Sequence, residues 1–189
     1  MKITLPDNSS RELPKGSSGY DLAKDIGPGL AKSAIAVTID GVQKDLYDVI
    51  DADASVSIIT IDSDEGVEIM RHTLTAQVLA RAIKNLYPES KLAIGPTVKD
   101  GFYYDVESDK SISSDDLSKI EEEMKKIIKT KSAITKKLVS KKEALKIFKS
   151  NKEPYKEIII NESDQDDDFQ LYYQDCLLYT SDAADEAKC

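Results

Sequence analysis

The sequence predicts an α+β protein built from two units. Three features carry this reading. About 60 residues at the start alternate short strand-length apolar runs with turn residues around a single helical stretch. A long run with helical spacing follows from Leu74, and beyond it short strand-like runs alternate with further amphipathic helices.

Taken in order, Met1–Leu5 is strand-like and Pro6-Asp7-Asn8-Ser9 turns it back into Ser10–Pro14. Ser18 or Gly19 starts a helix with Leu22, Ala23 and Ile26 on one face, and Gly27-Pro28-Gly29 breaks it. No lysine–serine/threonine pair follows those glycines, so they read as a turn and not a phosphate loop. Ala34–Ile39, the hairpin turn Asp40-Gly41, the apolar stretch Leu46–Ile50 and the run Val56–Thr60 complete a small roll. The acidic stretch Ile61–Gly66 reads as a linker.

In the second unit Leu74, Val78, Leu79, Ala82, Ile83 and Leu86 define a helix closed by Pro88. Leu92–Pro96 and Gly101–Val106 read as two strands around a Lys99-Asp100-Gly101 turn. Ser113 or Ser114 caps a helix with Leu117, Ile120, Met124, Ile127 and Ile128 on its apolar face. A strand through Ile134–Val139, a helix over Ser140–Phe148 and a strand at Tyr155–Ile160 complete the expected order. A mainly antiparallel sheet with helices on one face would hold it.

The chain has 189 residues, 26 basic and 35 acidic, for a net charge of −9. That balance argues against indiscriminate nucleic-acid binding. The charge is uneven, however: Lys119–Lys152 holds twelve lysines against four glutamates. Such a segment is either a solvated helix surface or a face for RNA phosphates. Asp164–Asp168 reads as a solvated loop. Cys176 and Cys189 cannot make a disulfide framework, which points to a reducing, cytoplasmic setting. No apolar run reaches the roughly 20 residues of a membrane helix. One histidine, His72, excludes a multi-histidine metal site, so no metal ligands are assigned.

Four segments, in order and spacing, resemble the N-terminal half of bacterial threonyl-tRNA synthetases: Asp25–Lys32, Glu68–Thr73, Ala93–Pro96 leading to Gly101–Asp105, and Glu153–Lys156. The resemblance implies a TGS β-grasp (ubiquitin-like) domain over residues 1–61 and a linker over 62–70. It further implies a truncated α+β editing-type unit over 71–175. In that family the second unit hydrolyses serine wrongly attached to threonine tRNA, using two histidines at i and i+4 on one helix. Here His72 matches the first. Ala76 stands four residues on, and Gln77 takes the second step with one extra residue before it. In an α-helix five residues turn about 140° away from alignment, so Gln77 is not expected to substitute in place. The resemblance also places Tyr104 and Lys156 near the pocket, Tyr104 to hydrogen-bond or stack on the terminal adenosine and Lys156 to hold a phosphate or polarise the ester. Each has a plain alternative: His72 as a helix N-terminal residue that packs or hydrogen-bonds without catalysis, Tyr104 as a core aromatic, Lys156 as a surface cation.

After Asp175 the resemblance stops, and Cys176–Glu186 looks like a translated sequencing adapter. Residues 176–189 are therefore expected to be an artefactual, poorly packed tail. The implied function is that of the N-terminal part of a threonine–tRNA ligase. It would contact the acceptor arm of threonine tRNA and lack the aminoacylation core. No cofactor is expected in this chain. The parent would use ATP, magnesium and zinc, and would dimerise through its catalytic domain. The alternatives are a free-standing TGS-type RNA-binding or regulatory module and a trans-acting deacylase of mischarged tRNA.

Overall fold

The computed structural model describes residues 1–174 and, for the backbone alone, residues 177–180. The chain divides into Met1–Met70 and Arg71–Cys189.

In the first unit, β1 (Lys2–Thr4) and β2 (Ser10–Glu12) form an antiparallel hairpin. The chain then crosses through α1 (Gly19–Ile26) and α2 (Pro28–Ser33) to β3 (Ala34–Ile39), β4 (Val42–Asp45) and β5 (Ala54–Thr60). The sheet order is β2-β1-β5-β3-β4, and β1 and β5 are its parallel pair. Ser18 starts α1 with a reciprocal cap: its hydroxyl accepts from the Asp21 N–H at 3.3 Å, and the Asp21 carboxylate accepts from the Ser18 N–H at 2.9 Å. The Ser18 N–H, and after it the Ser18 hydroxyl donating to the same carboxylate at 2.8 Å, hold the Asp21 carboxyl below the usual range. Ile3, Leu22, Val37, Ile50 and Val56 fill the core at 0–1% exposure. Gly19 lets α1 lie close on the sheet, since a Cβ there would stand 2.8 Å from Val37 Cβ. The structure adds α2, which the Gly-Pro-Gly break concealed: Pro28 sits at its first turn, where a missing N–H costs nothing.

Asp64–Thr73 is helical (α3), so the acidic stretch read as a linker becomes helix from Asp64 onward. Ser63 explains the start, its hydroxyl accepting the Gly66 N–H at 3.0 Å.

The second unit has two apolar clusters. One gathers Val78, Ala80, Ala82, Ile83, Leu92, Ile120 and Ile127. They come from a π-helical turn (Leu74–Leu79), α4 (Ala80–Leu86), β6 (Lys91–Leu92) and α5 (Leu117–Thr130). The two strand-like runs form a nested hairpin: β7 (Thr97–Val98) pairs with β8 (Gly101–Phe102) inside the pair of β6 and β9 (Val106–Glu107). On α5 the expected apolar face is only partly buried, since Leu117 and Ile128 are exposed.

The other cluster packs α6 (Lys141–Ser150) and α7 (Pro154–Glu162) on β10 (Ile134–Val139) and β11 (Phe169–Gln174), through Val139, Ala144, Phe148, Ile160, Phe169 and Leu171. The expected strand at Tyr155–Ile160 is wrong: this segment is α7. Pro154 in the first turn suits a helix, and i,i+4 spacing buries Lys156 and Ile160 together while Ile158 faces solvent. The β-branched run misled because packing overrides local β-propensity. The sequence reading missed β11, although Phe169, Leu171 and Tyr173 alternate. β12 (Leu177–Thr180) pairs antiparallel with β11. The rest of the tail lies outside the described residues.

Two predictions follow from local geometry. Gly19→Ala forces its methyl against a fully buried valine and should destabilise the first unit by about 1–3 kcal/mol in urea unfolding. Asp116 caps the segment leading into α5, accepting from the Ser113 N–H and from Lys119 Nζ, each at 3.1 Å. With the Ser113 backbone bond as the largest cause, its carboxyl falls to about 2. Because the folded value is depressed, the cap's stabilisation is complete above the ordinary carboxyl value of 3.8 and is lost as pH falls through about 2. A titration followed by NMR should place the Asp116 midpoint there; a midpoint near 3.8 would contradict the cap.

Candidate functional site

The four residues singled out in the sequence lie on four different elements. His72 is in the last turn of α3 and half-buried. Gln77 lies in the π-helical turn, 5% exposed. Tyr104 follows β8 in the nested hairpin. Lys156 is in the first turn of α7, 6% exposed.

The π turn changes the helix arithmetic. At its end the Ala80 N–H reaches the carbonyl of Thr75, five residues back. A turn closed by such bonds holds one residue more than an α turn. Residues five apart across it therefore stand about where residues four apart stand in an α-helix, about 40° from alignment. The expected angle of about 140° between His72 and Gln77 assumed regular α spacing, and the wide turn departs from that spacing by taking up the extra residue.

Gln77 carries an unusual burden there. Its Oε1 is wholly enclosed and accepts no hydrogen bond. Thr75 beside it is fully buried but satisfied, donating to the Arg71 carbonyl at 2.8 Å. The Tyr104 ring lies on this turn as well. A Cβ at Gly95 would stand 2.5 Å from Tyr104 Cδ2 and 3.0 Å from Thr75 Cγ2, so only glycine lets ring, hairpin backbone and turn meet. Tyr104 also lines a cavity of about 660 Å³, together with Leu79, Ile83, Phe102, Ile120 and Met124. Its walls are apolar, and Lys110 and Glu121 add opposite charges.

Lys156 is no surface cation. Among the described residues its ammonium has no recorded hydrogen bond or ion pair. It also sits at a helix N-terminus, where the macrodipole disfavours positive charge.

What holds α7 in place is a polar network that sequence reasoning missed. Glu153, 9% exposed, pairs with Lys84 of α4 and accepts the Leu92 N–H of β6 at 3.4 Å. Nearby, Glu107 of β9 takes Lys91 Nζ at 2.6 Å and the Tyr155 hydroxyl. These bonds, the lysine's first, hold the Glu107 carboxyl below its usual range, while the bond to Glu107 raises the Tyr155 phenol. No sequence signal links Lys84 to Glu153, because 69 positions separate them and neither belongs to a spaced pattern.

The lysine-rich stretch divides once side chains are placed. Lys119 pairs with Asp116, Lys125 with Glu121, Lys126 with Glu123 and Lys137 with Glu143. On α6, Lys142, Lys146 and Lys149 are exposed at i, i+4 and i+7, on one helical face, with no recorded ion pair among the described residues.

Residues 1–60 match the TGS domain family. Over 176 residues, 92% of this chain, the sequence is 42% identical to the threonine–tRNA ligase of Halalkalibacterium halodurans. The chain corresponds to the N-terminal part of a threonine–tRNA ligase. It spans 27% of that relative's length. The first unit is thus a TGS domain with its β-grasp sheet, and the second belongs to the same ligase's N-terminal region. No helix among the described residues is long and apolar enough to cross a membrane.

Glu153→Ala should leave the half-buried Lys84 with the Ser90 carbonyl alone and the Leu92 N–H without its acceptor. A loss of about 1–3 kcal/mol is expected in equilibrium unfolding. A change under 1 kcal/mol would show that the pair does not hold α7.

Proposed function

We propose that this chain is the tRNA-handling part of a threonine–tRNA ligase, whose second unit grips the acceptor arm of threonine tRNA and receives its aminoacylated 3′ end. One observation carries the reading: Lys142, Lys146 and Lys149 form an exposed cationic stripe in a chain that neutralises its neighbouring lysines with carboxylates. Unpaired charges at helical spacing suit a line of phosphates. Support comes from the site. A lysine whose stem is buried at Lys156 and an enclosed amide at Gln77 are costly for stability alone.

The parent would join threonine to tRNA at the expense of ATP, in the cytoplasm and as a homodimer. The parent would use ATP, magnesium and zinc in its catalytic domain. The chain has one histidine, and the described residues contain no group of three His, Cys, Asp or Glu side chains placed to hold a metal. Those groups belong to parts of the ligase beyond this chain, which by itself does not charge tRNA. Ester hydrolysis is not expected either. Gln77 is a neutral amide where a second imidazole would act as base, and the amide cannot take up a proton near neutral pH.

The experiment is a tRNA titration at several salt concentrations. Three phosphate contacts predict an affinity that falls roughly 20- to 40-fold between about 50 and 200 mM salt. Reversing Lys142, Lys146 and Lys149 to glutamate should abolish binding and leave the melting temperature unchanged. Undiminished binding by the triple variant would refute the stripe as the contact.

A further inference from the structure

We propose that α5 is a contact surface for a second copy of this chain, the two helices lying antiparallel about a two-fold axis at the level of Glu122 and Glu123. The contact is separate from the lysine row of α6 and stands without the tRNA reading.

The helix has an apolar surface wider than the core it serves. Ile120 and Ile127 are buried and pack into the second unit. On the same helix Leu117 is 60% exposed and Ile128 is 54% exposed. One exposed aliphatic side chain needs no explanation. These two are not isolated. With Glu121 and Met124 between them they recur at steps of four, three and four residues, the spacing of a coiled-coil seam. At about 100° per residue the four positions fall within about 60° of one another. They make a stripe about 16 Å long beside the buried isoleucines. Leu117, Glu121 and Met124 also line the cavity described above, so the stripe borders a concave surface.

Spacing and charge select the occupant. A seam of this kind is covered by a helix with the same spacing, and α5 is itself such a helix. Antiparallel pairing sets Leu117 against the partner's Ile128 and Glu121 against the partner's Met124. Each exposed aliphatic side chain then gains an aliphatic neighbour. The charges favour the same direction. Glu121 pairs with Lys125 along the helix at 2.5 Å, and both are exposed. In the antiparallel pair Lys125 comes within one residue's rise of the partner's Glu121, so two carboxylates and two ammonium groups meet around the axis with no net charge. A parallel pair would instead set the two Glu121 carboxylates side by side, where like charges repel. A patch that complements itself in this way closes at two copies. The stripe is short, which puts the contact at the weak end of specific interfaces.

Sedimentation equilibrium of the full chain tests the proposal. From about 10 µM to about 1 mM the average mass should rise from 20.9 kDa toward twice that value, with a Kd on the order of 100 µM. Leu117→Ser combined with Ile128→Ser should weaken association at least about tenfold, and the exposure of both side chains should leave the melting temperature unchanged. Glu121→Lys gathers four cations at the axis and should weaken association as much. Adding Lys125→Glu to that variant should restore the Kd of the unaltered chain, a reversal that a merely solvating pair does not predict. A chain that stays monomeric at the highest concentration overturns the proposal, and so does a mass that climbs past two copies. Undiminished association in the double serine variant overturns it by placing the contact elsewhere. Failure of Lys125→Glu to rescue Glu121→Lys overturns the antiparallel pairing, and the proposal with it.

Discussion

The ion pair of half-buried Lys84 with buried Glu153 governs the second unit. It joins α4 to the start of α7, and the remaining Glu153 oxygen takes the Leu92 N–H, so one carboxylate fixes a helix, a strand and a second helix. Charges that share a low-dielectric site hold geometry firmly when their other hydrogen-bonding capacity is used, and the loss of either partner is expensive. Lys156 stands three residues beyond Glu153 and inherits its position from that anchor. The outer network of Lys91, Glu107 and Tyr155 repeats the connection at the surface, where solvent screening leaves it weaker.

Around this anchor the unit tolerates three features that work against stability: a widened helical turn, an enclosed amide oxygen and a buried lysine at a helix start. They occur on the helix and loop elements that carry the family-like motifs, while the TGS sheet shows a complete reciprocal cap and a dry core. Such separation is what folded proteins show when one region is held for binding and another for stability. Gly95 is the steric counterpart. Its missing side chain leaves room for the Tyr104 ring and the Thr75 methyl, both of which crowd the place a Cβ would take.

The lysine-rich segment shows how placement decides function. Twelve lysines in 34 residues looked like a single basic patch. Four of them are matched by carboxylates three, four or six residues away, and their charge is spent locally. Among those left, Lys129, Lys131 and Lys152 stand apart, while Lys142, Lys146 and Lys149 form an ordered row on α6. A row can match a phosphate backbone, whereas scattered and neutralised charges cannot.

Much of the architecture was legible beforehand. Turn residues, capping serines and helical spacing located β1, β3, α1, α5, β10 and α6, because these signals act through the backbone and immediate neighbours. Segments with competing signals were not settled that way. Tyr155–Ile160 has strand-forming side chains yet is helical, because Pro154 starts it and one face packs on Phe148 and Leu171. The sequence by itself determined the α+β class, the TGS resemblance and the identity of His72, Gln77, Tyr104 and Lys156. Tertiary structure alone decided that the extra helical residue becomes a wide turn, that Gln77 is enclosed, and that Lys84 meets Glu153. These outcomes depend on contacts between residues far apart in the chain, where no local pattern carries the information and where the energy of burial chooses among conformations that local preference leaves nearly equal.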